Sequence, residues 1–527
     1  MRVHQGSEAT LPDTQFHKKM MLLDSILLTL IAFILHSYRL AQNPIWLDEA
    51  LIFLFSQQGL DKLFFLGFIG PHPPLYYLVQ WLSSGMGSWQ TEWGWRWLPL
   101  FCGTLNVPLL YILMRRMVSR PNAIITVLLF TLAPMHLYFS QESRPYAFLM
   151  LWATISIFQL HRVQTNPQRI LEWGALTLVS LVGLFSGYSY VFIIMGQYLY
   201  LTVIRGYWLR SIISGFLVVL PAGFALLSYI TPTVSYTLGQ YADRPALTFV
   251  QMAASLLAID HQRYGIYWGH QWQPILFGCL ILVALWQTVE MYIVNKRDDL
   301  SMNAAYATMP LYYLCQVILP PLIFFTIVTP FLGIKLPVKD AKQFIILFPA
   351  LFILVAIAFN QLKDIRPKGL GTVFIVLICG SIMAADIAGI VRYWQTTKSP
   401  EGLAVRQLQT ALQADDGLMI LHYSPASVFT FYMPDRPYYV LAPSTSAPSA
   451  SSPSASGDAS TDYQFYQNHE QPESARPLDE ILTAHPIMWL LHYQALPAPM
   501  QDVLEASCTF KSSSVYGPFT LQQFDCE

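Results

Sequence analysis

Residues 20–40 read MMLLDSILLTLIAFILHSYRL, an apolar run as long as a membrane-spanning helix. Lys18 and Lys19 lie in the polar stretch before it, and no small-residue cleavage site follows, so we expect a retained anchor rather than a signal peptide. Composition agrees, because 54% of the 527 residues are hydrophobic and only 12% are charged. That charged share is about half that of a soluble domain, which predicts an integral membrane protein.

Ten further runs are apolar enough to cross a bilayer, which needs about twenty residues per helix. The sequence therefore predicts an all-α polytopic bundle of about eleven transmembrane helices. The run at 74–87 is left out because Ser83, Ser84 and Gly85 interrupt it, and we expect it to lie on the membrane surface. The predicted spans are 20–40, 98–117, 121–139, 145–162, 170–189, 190–204, 211–230, 274–294, 308–330, 343–360 and 370–390.

Loop charges predict the orientation of these spans, because short cytoplasmic loops collect Lys and Arg. With residues 1–19 in the cytoplasm, each predicted inner loop has at least two basic residues, whereas the outer loop 41–97 has only Lys62 and Arg96. The turn at 140–144 and the tail after the last span then lie outside as well. The inner basic residues are Lys18, Lys19, Arg115, Arg116, Arg120, Arg162, Arg169, Arg205, Arg210, Lys296, Arg297, Lys363, Arg366 and Lys368.

The tail, residues 391–527, is less apolar than the predicted membrane domain at 20–390 and predicts a small extracytoplasmic α/β domain. Residues 442–460 are almost wholly Ala, Pro and Ser, which indicates a disordered insertion. Cys508 and Cys526 either form a disulfide in an oxidising compartment or are two unrelated thiols. The predicted elements are a helix at 401–415, a strand at 417–423, a hairpin-like turn near Asp435, a helix and strand within 478–493, a helix at 499–507 and two terminal strands.

Asp48 and Glu49 form the first candidate site, in the sequence NPIWLDEA at 43–50. Trp46 is an aromatic residue of the kind found at membrane interfaces, which puts both carboxylates at the outer membrane surface. The two acids either polarise the start of the following helix or perform acid–base chemistry.

Two further motifs lie on the same predicted face. His72, in GPHPPLYY at 70–77, is presented by a turn that prolines stiffen; it is either a plain turn residue or a hydrogen-bonding group for a carboxylate or sugar hydroxyl. Glu142 and Arg144, in SQESRPYA at 140–147, occupy a turn of a few residues and form either a local ion pair or part of a polar site.

Positive charge also occurs where the orientation rule disfavours it. The short outer turn before the tenth span carries Lys335, Lys339 and Lys342, which indicates a group that holds a phosphate. Lys342 alternatively extends along the apolar surface to the interface. Arg244 and Arg263 are further candidates, in a loop that otherwise serves as a solvated cover.

Together these motifs resemble the GT-C type membrane glycosyltransferases, in the branch of the protein O-mannosyltransferases and the lipid A aminoarabinose transferase. Within it, the sequence is most similar to the bacterial lipopolysaccharide galacturonic acid transferase-like group. The resemblance covers about residues 20–160, through 47–49, 71–77, 96–103 and 133–147. The chain departs from the family at Phe185–Tyr188, where a His-Tyr pair is common, and at Lys342–Gln343, where Arg-Tyr is usual. Lys keeps the charge but lacks the bidentate fork of Arg.

The resemblance implies transfer of a sugar from a polyprenyl-phosphate donor to a hydroxyl, with inversion, on the outer face of a bacterial inner membrane. The acceptor is a glycan, a glycolipid or a protein, and the net charge of −1 gives no basic field for nucleic acid. Asp48 is then the base, and Glu142 orients the acceptor or, with Asp48, helps hold a divalent cation. The implied site residues are Asp48, Glu49 and Glu142 for catalysis and His72, Arg144, Tyr146, Lys342, Arg244 and Arg263 for substrate binding.

Two other classes of protein remain open on the sequence. A transporter or lipid flippase usually has ionisable residues near the membrane midplane and internal repeats, neither of which is evident here. A structural or sensory membrane protein would use its outer α/β domain to bind partners, with the acids only capping helices.

Overall fold

The computed structural model describes most of the chain, and helices dominate it before residue 396. The described residues are 14–57, 73–223, 260–261, 266–267, 275–286, 309–328, 338–363, 365, 367, 369–396, 398–441, 464–467, 476–493, 496 and 498–526. The predicted insertion at 442–460 lies outside them, as do His72, Arg244, Arg263 and Lys335.

The helices of these ranges follow the predicted apolar runs and add several in the tail. In chain order they are α1 (Thr14–Ser37), α2 (Leu47–Ser56), α3 (Pro74–Ser83), α4 (Glu92–Met114), α5 (Arg120–Leu132), α6 (Pro134–Ser140), α7 (Tyr146–Thr165), α8 (Ile170–Ser186), α9 (Tyr188–Ile204), α10 (Trp208–Gly223), α11 (Ile275–Trp286), α12 (Met309–Ile323, extended by the π-helix Phe324–Val328), α13 (Phe348–Leu362, preceded by the 3-10 helix Val338–Leu347), α14 (Leu370–Gln395), α15 (Pro400–Ala411), α16 (Tyr423–Tyr432), α17 (Leu478–Ala484) and α18 (Ala498–Ser507).

Each predicted span falls wholly or partly on one of these helices, but the count of eleven is not confirmed. Within the described ranges, α1, α4, the run Lys342–Leu362 and α14 are long and apolar enough to cross a membrane. The pair α5 and α6 is a fifth candidate, bent by 58°. The helices α8 to α12 are apolar but shorter, below the roughly twenty residues that a bilayer core requires.

The run at 121–139 was predicted as one span and is instead broken. Ala133 leaves the helical conformation, with φ −56° and ψ 120°, and Pro134 begins a new helix. Proline disfavours helical geometry at the residue before it and cannot donate its missing N–H, so the bend follows from Pro134. The broken pair directs the end of α6 into the turn that carries Glu142.

The chain folds into two compact units, and neither is a single continuous stretch of sequence. The first comprises Met1–Leu40, Gln58–Ser84 and Arg96–Thr396, and the second comprises Ala41–Gln57, Gly85–Trp95 and Thr397–Glu527. The helix with Asp48 and Glu49 therefore packs with the tail, although the sequence places it directly after the first span.

The first unit has α13 at its centre, because every residue from Phe348 to Phe359 is buried. By contrast, α1 and α10 expose large apolar side chains such as Leu22, Ile26, Phe216 and Leu220. An apolar surface of this kind on helices suits contact with lipid, and the protein is an integral membrane protein. α3 packs into this unit through Tyr76 and Tyr77, which are both fully buried.

The second unit contains a seven-stranded sheet made of β3 (Gly417–Ile420), β4 (Tyr439–Leu441), β5 (Gln464–Gln467), β6 (Arg476–Pro477), β7 (Ile487–Tyr493), β8 (Thr509–Tyr516) and β9 (Phe519–Asp525). The order of the strands in the sheet is β6-β5-β4-β3-β7-β9-β8. Strand β3 pairs in parallel with β4 and β7, and the remaining pairs are antiparallel, which confirms a C-terminal α/β arrangement. A separate two-stranded pair, β1 (Asp260–His261) and β2 (Ile266–Tyr267), precedes it in the chain.

The prediction of a hairpin-like turn near Asp435 is wrong. The turn joins the helix α16 to the strand β4, and β4 then pairs with β3 and with β5, not with the chain directly before the turn. Neither α16 nor the short strands β4 to β6 were predicted. The strands had no local signal, because β4 pairs with β5, which lies on the other side of residues 442–463 in the sequence.

Cys508 and Cys526 form a disulfide that joins the start of β8 to the end of β9. Both cysteines pack against the apolar core of the second unit, which includes Met419, Leu490 and Phe524. We expect Cys508→Ser to lower the free energy of unfolding of this unit by about 3 kcal/mol, because the bond restricts the unfolded chain.

Thermal unfolding of the full chain with and without reductant measures this effect. Cys279→Ser is the matched control, because Cys279 is a free, exposed cysteine. A wild-type protein whose unfolding temperature does not change on reduction would contradict the prediction.

Candidate active site

The first turn of α2 carries both acids of the first motif. Its first backbone N–H groups have no partner within the helix, and no side chain of the N-cap residue Trp46 supplies one. Glu49 is fully buried, whereas Asp48 is partly exposed. Of the two carboxylates, Asp48 is therefore the one that a substrate can reach.

Glu142 lies in a tight turn between α6 and α7. The Arg144 N–H donates to the Glu142 carbonyl at 2.7 Å, and the side chains of Glu142 and Ser143 are almost completely buried. Gln141 Nε2 donates at 2.8 Å to the carbonyls of both His36 and Tyr38, which joins the turn to the end of α1. The Gln141 side chain therefore ties the start of the turn to the end of α1.

Two cations flank the ring of Tyr146, the first residue of α7. Arg144 Cζ lies 5.5 Å from the ring centroid, and Lys342 Nζ lies 5.8 Å from it. Arg144 Nη2 also donates to the Tyr146 hydroxyl at 3.4 Å. Two cations beside one buried aromatic ring make a region of positive potential that favours an anion.

Sequence reasoning missed a buried histidine pair below this turn. The rings of His36 and His136 are both fully buried, with centroids 4.9 Å apart in an edge-to-face arrangement. The His136 ring also lies 4.1 Å from that of Phe130, and His36 Nδ1 lies 3.5 Å from Thr104 Oγ1. The pair joins α1 to α6. The sequence feature that could have indicated it is the position of His136 within the motif at 133–147.

Gly103 of α4 allows another close approach to the same turn. A Cβ atom at this glycine would lie 2.7 Å from Ser140 Cβ, closer than such atoms pack. We expect Gly103→Ala to cost about 1–3 kcal/mol of stability through overpacking, because Ser140 is itself fully buried.

Thermal unfolding in detergent measures that cost. Gly174→Ala on α8 is the control, since an added Cβ there meets nothing within 4 Å. Equal unfolding temperatures for the two variants would mean that α4 moves away from Ser140 without cost.

Both the sequence and the fold are similar to those of known proteins. Residues 71–236 match the family described as dolichyl-phosphate-mannose-protein mannosyltransferase. The structure is similar to that of ArnT from Cupriavidus metallidurans in the apo state, with a TM-score of 0.57 and 12% identity, covering 94% of this chain and 97% of that one.

The chain has the GT-C fold.

A second ArnT structure from the same organism, bound to undecaprenyl phosphate, aligns with a TM-score of 0.52 over the same shares of both chains, also at 12% identity. No curated protein matches the sequence. The predicted resemblance to GT-C type glycosyltransferases is confirmed. The family match includes the motifs at 71–77 and 133–147, and it begins after Leu47–Glu49.

The structure of this GT-C protein brings together only part of the predicted site. Arg144, Tyr146 and Lys342 meet in the first unit, and Glu142 lies in the turn that begins this cluster. Asp48 belongs to the second unit. Among the described residues, no group of three His, Cys, Asp or Glu side chains is placed to hold a metal ion.

Proposed function

We propose that the protein is a glycosyltransferase that moves a sugar from a polyprenyl-phosphate donor to an acceptor hydroxyl. The observation that carries the proposal is the pair of cations on the Tyr146 ring, in a GT-C unit built of apolar helices. An anionic headgroup on an isoprenoid chain needs such a combination of positive potential and apolar surface. We assign the reaction to the outer face of a bacterial inner membrane, where the loop charges predict that these residues lie.

The departing phosphate determines what the cations do. As the bond between the sugar's anomeric carbon and the phosphate oxygen breaks, its electron pair moves to that oxygen. Arg144 and Lys342 stabilise the growing charge, which is the kind of interaction that is strongest in a site with little water. The Tyr146 ring contacts both cations, and the Tyr146 hydroxyl accepts a hydrogen bond from Arg144.

The acceptor hydroxyl forms the new bond to the anomeric carbon in the same step. Asp48 takes the hydroxyl proton as general base, and attack from the face opposite the phosphate inverts the anomeric centre. Glu142 is almost completely buried, so we assign it an indirect role, in which it orients the acceptor through the turn that it occupies. His72, Arg244 and Arg263 contact the substrates, and Glu49 supports Asp48 from within the same helical turn.

Transfer by the purified protein tests the proposal directly. The wild-type protein in lipid nanodiscs is supplied with a series of sugar-loaded polyprenyl phosphates and a cell-envelope extract as acceptor. We expect one donor to release free polyprenyl phosphate and a sugar-modified acceptor, and mass spectrometry of envelope glycans from a deletion strain to show the loss of the same sugar. Failure of every donor, with glycans unchanged in the deletion strain, would exclude the proposed function.

The alternative of a transporter or lipid flippase makes a different prediction. Liposomes that contain the protein would then move lipid or solute across the bilayer in the absence of any acceptor. A glycosyltransferase leaves such a transmembrane distribution unchanged.

A further inference from the structure

The acidic helix α2 is held at its start by a residue from the tail. The Leu47 N–H, the first of the helix, donates to Glu401 Oε1 at 3.4 Å. Early N–H groups of a helix have no internal partner and carry partial positive charge, so a carboxylate there is a stabilising cap. Glu401 thus supplies the cap that Trp46 lacks, at the residue next to Asp48.

The segment before Leu47 is fixed by the same part of the tail. Ser399 Oγ donates to the Ile45 carbonyl at 3.0 Å, and the Ile45 N–H donates to the Tyr432 hydroxyl at 2.9 Å. The Lys398 N–H donates to Asn43 Oδ1 at 3.2 Å. Residues of α15, of the link before it and of α16 therefore determine the path of the chain into α2.

Close packing accompanies these hydrogen bonds. A Cβ atom at Gly402 would lie 2.5 Å from Pro44 Cβ and 2.8 Å from the Ile45 carbonyl oxygen, so only glycine permits this approach. Lys398 is 3% exposed, and its Nζ lies 5.6 Å from the centroid of the Trp46 ring. The acidic turn is therefore supported by a buried cation as well as by backbone contacts.

Glu401 is itself oriented by its neighbours. It is 7% exposed, and Ser424 Oγ donates to the same Oε1 atom at 3.4 Å. The Ser424 N–H in turn donates to His422 Nδ1 at 3.1 Å. Burial lowers the pKa of His422, which keeps the ring neutral and its Nδ1 able to accept this bond. A chain of three residues thus determines where the Glu401 carboxylate points.

We propose that Glu401 is a positioning residue for Asp48, and that holding the first turn of α2 is a function of the C-terminal domain. This inference rests on the proposed role of Asp48 as the general base. A base must lie within hydrogen-bond distance of the proton it removes. Motion of the first turn of α2 therefore lowers the fraction of enzyme–substrate complexes in which Asp48 can react. The proposed donor-binding residues, Arg144 and Lys342, belong to the first unit, so we expect the KM for the donor not to depend on Glu401.

Three variants test the inference by transfer kinetics. Glu401→Ala removes the acceptor, and we expect kcat to fall by about tenfold to a hundredfold with the KM for the donor within about twofold of wild type. Glu401→Gln keeps an oxygen that accepts the Leu47 N–H, so we expect it to restore most of the kcat. Glu480→Ala is the control, since Glu480 is an exposed carboxylate of α17 in the same unit.

Hydrogen exchange gives a measurement that does not depend on activity. We expect amides of residues 45–50 to exchange faster in Glu401→Ala than in wild type, Glu401→Gln or Glu480→Ala, with unchanged exchange in the sheet of the second unit. Wild-type kinetics and wild-type exchange in Glu401→Ala would overturn the inference while the proposed function stands. Equal loss of activity in the Ala and Gln variants, together with faster exchange throughout the sheet, would also overturn it, because Glu401 would then serve the fold alone. If the wild-type protein transfers no sugar, the proposed function fails by itself. Unchanged hydrogen exchange at residues 45–50 in Glu401→Ala would then still contradict the positioning of α2 by Glu401.

Discussion

Asp48→Asn is expected to reduce sugar transfer by about a thousandfold, because the amide has the shape of the carboxylate but cannot take a proton at neutral pH. The substitution keeps the side-chain volume in the first turn of α2 and leaves the Leu47 cap intact. Donor binding should therefore stay close to the wild-type value. Single-turnover transfer from a radiolabelled polyprenyl-phosphate sugar, together with a donor binding isotherm, separates the chemical step from binding.

The control for Asp48→Asn is Asp502→Asn, which removes an exposed carboxylate from α18 of the same unit. We expect wild-type kinetics from it. Transfer at more than about a tenth of the wild-type rate by Asp48→Asn would remove Asp48 as the base, since loss of a general base usually costs at least about a hundredfold.

Lys342→Met should have the second-largest effect, with kcat reduced by about a hundredfold or more. The cation next to the Tyr146 ring acts on charge that develops in the transition state, and loss of one such group typically costs about 10²–10³ in rate. Arg144→Gln should give a similar loss for the same reason. Lys342→Arg should retain a substantial part of the activity, because it keeps the charge but changes the geometry of the donor groups.

Lys363 supplies the matched control for Lys342, since Lys342 begins the helical run Lys342–Leu362 and Lys363 directly follows it. Lys363→Met should transfer sugar at the wild-type rate. Dependence of kcat on the leaving group gives a further check: a donor with a more acidic phosphate should be less affected by Lys342→Met. Equal sensitivity of both donors, with a raised KM alone, would mean that Lys342 contributes only to binding.

The sequence alone predicted the apolar bundle and the positions of its helices, because long runs without charge have few other structures. From the outer position of Lys335, Lys339 and Lys342 it also predicted a group that holds a phosphate, and the family resemblance added Arg144 as a substrate-binding residue. That Tyr146 lies against both Arg144 and Lys342 was not predictable, because 342 and 146 are joined only through packing of the folded bundle. Proline at 134 was a local signal for the bend between α5 and α6, and it was missed in favour of hydropathy.

The support of α2 had no local signal either. Leu47 and Glu401 are 354 residues apart, and a side chain that caps a helix from so far away leaves no pattern around the acidic motif itself. Capping signals are read within about one turn of a helix start, and Trp46 offers none. The periodicity of the tail predicted its fold. Its proposed role in positioning α2 could be inferred only from the contacts that its first helix, α15, makes in the folded protein.

The order of synthesis gives the assignment of Ala41–Gln57 to the tail unit a biological meaning. The ribosome makes Asp48 early, and helices α3 to α14 are all synthesised before Ser399, Glu401 and Tyr432 emerge to meet the segment that leads into it. A nascent or prematurely terminated chain therefore carries the acid without the residues that aim it. Under the proposed role of Asp48, a chain that stops before Ser399 should therefore transfer sugar more slowly than the complete protein.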